Sequence, residues 1–405
     1  MVSPEVQMPT SQIAAPDIAH GPEWVNSVVT PALVFDERPM LHTVDIVQAL
    51  QRETGVAVLY AVKAMTNLDI MRRLSPLLDG FTVASLFDAR LAREIAGDSG
   101  LISIGTPGFT DREIDEIGEL CNNVVLNSLG QWERFRHRLE RKAKIGLRVN
   151  PNISNVKDPR YDPSRRYSKL GVNIDNLEEA LVRRPDLLNG LDGILFHTNC
   201  DSEDFQPVLT TVNLLVDRLD PLLRRLRWVN LGGGYLFTDR SNLSPLREAI
   251  KLLKDRYDLQ VIIEPGAAFV RQGGYLVGSV IDIIPTDGPS VAVLDTTVNH
   301  APEVFEYQFS PNVLETTPDG PYNYIIAGNT CLAGDLFGEY RFQSPLELGS
   351  PVVFPNMGAY TTVKAHTFNG QNLPSLYLIT RDGEINLRRT YSYDDYRSRL
   401  DLGRH

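Results

Sequence analysis

Polar residues recur where short apolar runs of this chain end. Lys63 closes GVAVLYAV (55–62), Ser85 follows FTVA (81–84), and Asn127 follows NVVL (123–126). Arg148 lies near the end of IGLRV (145–149), and His197 ends LDGILFH (191–197). Gly232, Gly233 and Gly234 follow WVNL (228–231), and Glu264 ends QVIIE (260–264). Each has a plain reading: a lysine that snorkels to the surface, a core histidine, an Arg148–Glu264 ion pair, a glycine turn. Together they describe one chemistry. A lysine amine condenses with a carbonyl. A strand–glycine loop offers backbone N–H groups to a phosphate. A carboxylate keeps a ring nitrogen protonated, and a flat imidazole stacks on a ring face. That set is what pyridoxal 5'-phosphate requires. The glycines match neither GxGxxG nor a P-loop, so nicotinamide and ATP readings lack support.

These groups meet only if the runs that carry them form one barrel. Apolar β-rich runs at 55–62, 81–84, 101–104, 123–126, 145–149, 191–197, 228–231 and 260–264 alternate with segments of helical spacing. Those helical segments are 66–77, 86–96, 110–120, 129–142, 176–184, 205–219 and 243–257, with Thr66 and Asn67 placed to cap the first. The alternation predicts an α/β fold, a (β/α)8 TIM barrel, with an open doubly wound sheet as the other arrangement of the same units. In a barrel the C-terminal strand ends share one mouth, where chemistry sits. Beyond about residue 270 the texture becomes mainly β, with Gly and Pro punctuation. The expected organisation is a flexible leader (1–27), a barrel domain (38–270), and a β-rich domain built from 28–37 plus 271–405.

The 405 residues carry 40 Lys+Arg against 51 Asp+Glu, a formal charge of −11. That balance argues against nucleic acid as a partner and against attraction to anionic lipid, and it suits a cationic substrate. Cys121, Cys200 and Cys331 are far apart and form no CxxC, so no metal site is expected. No apolar run spans a bilayer and no signal-peptide pattern opens the chain, so the expected location is cytoplasmic.

Seven motifs resemble the fold-type III, alanine-racemase-like pyridoxal-phosphate enzymes, on their decarboxylase branch, over about residues 28–380. They are AVKA (61–64), SKLG (168–171), HTNCD (197–201), NLGGGY (230–235), IIEPG (262–266), TCLAGD (330–335) and MGAYT (357–361). WVNLGGG, NTCLAGDLFGEYRF and VKAHTFNG (363–370) look most like the carboxynorspermidine/carboxyspermidine decarboxylases. The resemblance implies Lys63 as the Schiff-base lysine, His197 on the cofactor ring, Gly232, Gly233 and Gly234 at the phosphate, and Glu264 at the pyridine nitrogen. It implies Arg148 as a support near the ring and Tyr360 as a phosphate contact. It further implies a homodimer with shared active sites, in which Cys331 and Asp335 reach the partner's site. There Cys331 is the candidate proton donor and Asp335 binds a distal amine. For the remaining amines of a polyamine-like substrate, Asp295, Glu303, Glu306 and Glu339 are candidates.

The same family shows departures. Ala267 replaces the arginine that ornithine, arginine and diaminopimelate decarboxylases carry after EPG, as it does in the carboxynorspermidine branch. Leu195 breaks that branch's HFH pattern, and MGAYT leans toward the ornithine and diaminopimelate enzymes. The expected activity is therefore decarboxylation of an amino acid with a distal amine, carboxynorspermidine or carboxyspermidine first. The alternatives are ornithine, arginine, lysine or diaminopimelate as substrate, or a non-catalytic pyridoxal-phosphate-binding homologue. A racemase would need a second base, usually tyrosine, where TCLAGD offers Cys331.

Overall fold

A computed structural model describes residues 22–154, 156 and 158–400. Two compact units divide the chain: His42–Ala268, and the described residues of Met1–Leu41 with Phe269–His405. Strand β1 (Ala32–Asp36) opens the second unit, and helix α1 (Glu37–Thr54) runs on from it. The first unit then alternates strictly. Its elements are β2 (Ala57–Ala61), α2 (Leu68–Leu74), β3 (Gly80–Val83), α3 (Leu86–Ala96), β4 (Leu101–Gly105), α4 (Ile114–Leu120), β5 (Asn123–Leu126), α5 (Leu129–Leu139) and β6 (Lys144–Asn150). They continue through the two-residue β7 (Val172–Asn173), α6 (Ile174–Arg183), β8 (Gly193–Leu195), α7 (Gln206–Leu223), β9 (Trp228–Asn230), α8 (Ser244–Tyr257) and β10 (Gln260–Ile263).

The eight main strands pair in parallel in the order β2, β3, β4, β5, β6, β8, β9, β10, and β10 returns to β2. The eight main strands close on one another, so none of them is left as an edge strand. The TIM barrel expected from the alternation is the observed fold, and the doubly wound alternative falls. Helix starts are set by residues just past the strands. Asn67 accepts the N–H groups of Asp69 and Ile70 at 2.9 and 3.2 Å, and Ser85 and Ser128 cap α3 and α5 in the same way. Helix α1 was not anticipated. Its signal is Met40, Val44, Val47 and Leu50, all buried at helical spacing.

The barrel floor is an indole. Trp228, 1% exposed, packs with Ala57, Leu59, Val125, Leu195 and Ile262. Two glycines make room for it. A Cβ on Gly193 would lie 2.1 Å from Trp228 Cδ2, and one on Gly146 would lie 2.3 Å from Cη2. Gly193→Ala is therefore expected to destabilise the barrel by about 3 kcal/mol through overpacking. Equilibrium unfolding of the single variant and of Gly193→Ala combined with Trp228→Leu checks this. The second change should recover part of the loss; no loss in the single variant would refute the account.

The β-rich unit carries β11 (Gly274–Ile284), β12 (Ser290–Leu294), β13 (Tyr322–Ala327), β14 (Leu336–Phe342), β15 (Pro351–Pro355), β16 (Ser375–Ile379) and β17 (Ile385–Arg389). Its sheet runs β14-β13-β12-β11-β1-β16-β17, with β15 also on β11. The strand-like segment at 28–37 is thus present as β1, antiparallel to β11 and parallel to β16. The expected leader falls mostly outside the described residues, which begin at 22. Glu23–Ser27 is a single 3-10 turn with Val25 buried, so this last part of the leader is packed against the unit.

Candidate active site

Lys63 sits in a short 3-10 turn (Val62–Ala64) directly after β2. Water reaches its side chain, yet protein atoms crowd it, as for a group standing in a concavity. Loss of hydration and the neighbouring Arg148 charge lower its pKa, while Glu264, Cys200 and Asp201 pull the other way. A larger share of the amine is then in the nucleophilic free-base form. Arg148 on β6 is itself pushed down to about 10 by burial, with the Glu264 charge opposing.

His197 and the glycine loop form one unit. The Gly233 N–H donates to His197 Nδ1 at 3.1 Å. Burial, with Lys63 and Arg148, holds the imidazole well below the ordinary histidine range. The ring is therefore neutral, and with Nδ1 accepting, its proton resides on Nε2. The loop needs glycines for two separate reasons. Gly232 and Gly234 have φ of 70° and 86°, and a Cβ on Gly233 would lie 2.2 Å from the Glu264 carbonyl oxygen.

The three glycines expected at the phosphate differ in the partners of their N–H groups. The Gly232 N–H donates to Asn230 Oδ1 at 2.9 Å, and the Gly233 N–H serves His197. Both are spent inside the protein, which leaves Gly234 as the loop's donor. The first two glycines shape the cradle.

Glu264 is gripped from β9 and β3. Asn230 Nδ2 donates to Glu264 Oε1 at 2.6 Å while Asn230 Oδ1 takes the Gly232 N–H, and Thr82 adds a hydrogen bond. Burial raises the Glu264 pKa, opposed by Asn230, Thr82 and the Lys63 and Arg148 charges. A cationic ring nitrogen would add to the Lys63 and Arg148 charges that already favour the ionised form of this carboxylate. Asn230 and Thr82 are residues beside Glu264 that the sequence reading missed; they lie two and three positions before Gly232 and Ser85, within the last two residues of β9 and β3. Ser85 and Asn127 do other work. Ser85 caps α3, and Asn127 pins the SKLG segment through Lys169 O and Gly171 N, both at 2.8 Å. Gly171 in turn approaches Arg148 so closely that a Cβ would lie 3.0 Å from Arg148 Cγ.

The other expected site residues belong to the β-rich unit. Tyr360 precedes the turn of helix Thr361–Lys364 with φ 62°, uncommon outside glycine and frequent at functional positions. Cys331 is exposed on the β13–β14 connection. Asp335 is 3% exposed and accepts hydrogen bonds from Thr297 Oγ1, Val298 N, Thr330 N and Thr330 Oγ1, so its carboxylate holds its own loop. Glu303 and Glu306 share Lys364 Nζ at 3.2 and 2.6 Å, Asp295 Oδ1 takes the Ser279 N–H at 2.8 Å, and Glu339 Oε1 takes Asn323 Nδ2 at 2.7 Å. Among the described residues no cluster of His, Cys, Asp and Glu suits a metal ion, and no helix is long and apolar enough to cross a membrane.

An amine of lowered pKa, a glycine loop, a neutral imidazole of fixed tautomer and a carboxylate held by Asn230 and Thr82 beside two cations fit pyridoxal phosphate. The barrel and this rim define the class: a pyridoxal-phosphate enzyme of the TIM-barrel type.

Comparison with known proteins sharpens the class. Residues 42–271 match the pyridoxal-binding domain of the pyridoxal-dependent decarboxylases. A carboxynorspermidine/carboxyspermidine decarboxylase of Herminiimonas arsenicoxydans is 33% identical, over 92% of this chain and 100% of its own. A carboxyaminopropylagmatine decarboxylase of Synechocystis is also 33% identical, over 93% and 96%. The solved carboxynorspermidine decarboxylase of Campylobacter jejuni, in complex with norspermidine, is 31% identical, covers 92% of this chain and 100% of that one, and superposes with a TM-score of 0.83. The chain belongs to the pyridoxal-dependent decarboxylase family and is a pyridoxal-phosphate-dependent carboxy-lyase.

Proposed function

We propose that the protein decarboxylates carboxynorspermidine or carboxyspermidine in polyamine biosynthesis, as a cytoplasmic homodimer with shared active sites. The observation that carries the substrate is the likeness, over nearly the whole of both chains, to a decarboxylase solved with norspermidine. Ala267 after IIEPG, where the branch also lacks arginine, supports it. The net charge of −11 suits a polycation.

Pyridoxal phosphate at the barrel mouth would supply a protonated ring as the electron sink for decarboxylation. Lys63 would hold the cofactor, its amine being the nucleophile suited to the cofactor's carbonyl carbon. Glu264, steadied by Asn230 and Thr82, keeps the ring nitrogen protonated. His197 covers one ring face, its tilt fixed by Gly233. Gly234 N–H and Tyr360 take the phosphate, and Arg148 braces the ring. Cys331 Sγ hands a proton to Cα after carbon dioxide leaves. Exposed Phe305 and Phe368, at 44% and 43%, flank the Cys331 loop and its neighbouring segment, a surface suited to being covered by the second subunit.

Carbon dioxide release from carboxynorspermidine, carboxyspermidine, carboxyaminopropylagmatine, ornithine, arginine, lysine and diaminopimelate tests the reading. The highest kcat/KM is expected for carboxynorspermidine or carboxyspermidine. A higher value for any other member of the panel would replace the substrate, and no turnover of any would favour a non-catalytic homologue.

A further inference from the structure

The VKAHTFNG motif has no part in the chemistry above, yet it touches the Cys331 loop at its centre. The Cys331 N–H donates to Asn369 Oδ1 at 3.0 Å. Two residues on either side, Asn329 Nδ2 donates to Gln371 Oε1 at 3.1 Å. The segment that supplies both acceptors is itself anchored: Lys364 to Glu303 and Glu306, and the His366 N–H to the Asn299 carbonyl at 3.1 Å. It begins at Tyr360, so one continuous strap, 360–371, leads from the proposed phosphate contact to the proposed proton donor. Asp335 fixes the same loop from beneath, through both the N–H and the hydroxyl of Thr330. Asn369 adopts φ 55°, a conformation that asparagine tolerates better than most residues. The αL turn aims its side chain at the Cys331 backbone.

We infer that Asn369 is a positioning residue for proton delivery, the strap 360–371 setting where the Cys331 thiol stands. The inference rests on the reading of Cys331 as the donor. A hydrogen bond to the backbone of Cys331 leaves Sγ free to move a proton while removing the play of an exposed loop. Displacing a reacting group by about 1 Å costs up to about 100-fold in rate. Loss of one of several anchors is expected to cost about tenfold in kcat.

Three Asn369 variants separate the hydrogen bond from the backbone turn. Asn369→Asp keeps the acceptor and is expected to hold kcat on carboxynorspermidine within about twofold. Asn369→Gly keeps the left-handed turn and removes the acceptor; kcat should fall about tenfold, with KM and the visible absorbance of the bound cofactor unchanged. Combining Asn369→Gly with Cys331→Ala should be no slower than Cys331→Ala alone, because Asn369 acts through Cys331. Additive losses, or wild-type kcat in Asn369→Gly while Cys331→Ala is slow, would overturn the inference and leave the role of Cys331 intact. Wild-type kcat in Cys331→Ala would overturn that role instead. If Asn369→Gly does not fold, Gln371→Ala loosens the same strap without touching a left-handed residue. It should lower kcat about threefold, and a wild-type kcat there counts against the strap.

Discussion

Lys63→Ala is expected to give a folded, colourless protein that releases no carbon dioxide from any substrate, with or without added pyridoxal phosphate. The 3-10 turn that carries Lys63 is held by backbone bonds, Met65 N–H to Val62 O at 3.1 Å and Ala61 N–H to Pro265 O at 3.0 Å, so removing the side chain leaves the strand end in place. What is lost is the amine that holds the cofactor covalently and the cation facing Glu264. The cofactor-free protein gives a second readout. Burial lowers the Lys63 pKa in the fold, so in the window between that lowered value and the ordinary 10.5 the unfolded chain binds the extra proton. Stability then rises with pH across that window, and Lys63→Ala removes the slope. A variant that stays coloured and active would refute the assignment of Lys63.

Glu264→Gln carries the second large effect. The amide retains an oxygen for Asn230 Nδ2, so the strand junction survives, but the anion facing the ring nitrogen is gone. Removing one preorganised electrostatic partner costs about 10²–10³-fold in turnover elsewhere, and a loss of that order in kcat/KM is expected here. Colour should persist, because Lys63 still holds the carbonyl carbon. The measurement is steady-state decarboxylation beside the absorbance of the same sample. Wild-type turnover in Glu264→Gln would mean that the ring nitrogen needs no carboxylate, and the role of Glu264 would fall.

The barrel was legible because eight apolar runs at even spacing leave few alternatives, and the strand-end rule then collects Lys63, Arg148, His197 and Glu264 without any contact being known. Helix α1 escaped because its apolar positions lie among charged residues and no strand had yet set the alternation. Asn230 escaped because the apolar run was read through Leu231, while the strand ends at Asn230. Asp335 shows a different limit. A carboxylate beside a cysteine reads as a ligand-binding group, and the donors that hold it are not visible in the string. Thr297 and Val298 are 38 and 37 residues away in the chain and come to Asp335 only through the pairing of β12 with β13. Gly233 is similar: three glycines look interchangeable in a string, and only the His197 contact singles out the one that orients an imidazole.

The indole under the barrel has a consequence for traffic. With Trp228 seated between Gly146 and Gly193, the lower end is filled by the indole, which leaves the mouth as the way in and out. Substrate, carbon dioxide and product all pass through it. Carbon dioxide is small and uncharged and can slip past a chain still held by its amines. In the proposed reaction the amine product leaves only when its charged tail lets go. For the proposed reaction this suggests an order of exit: gas first, amine second, with the returning proton arriving in between.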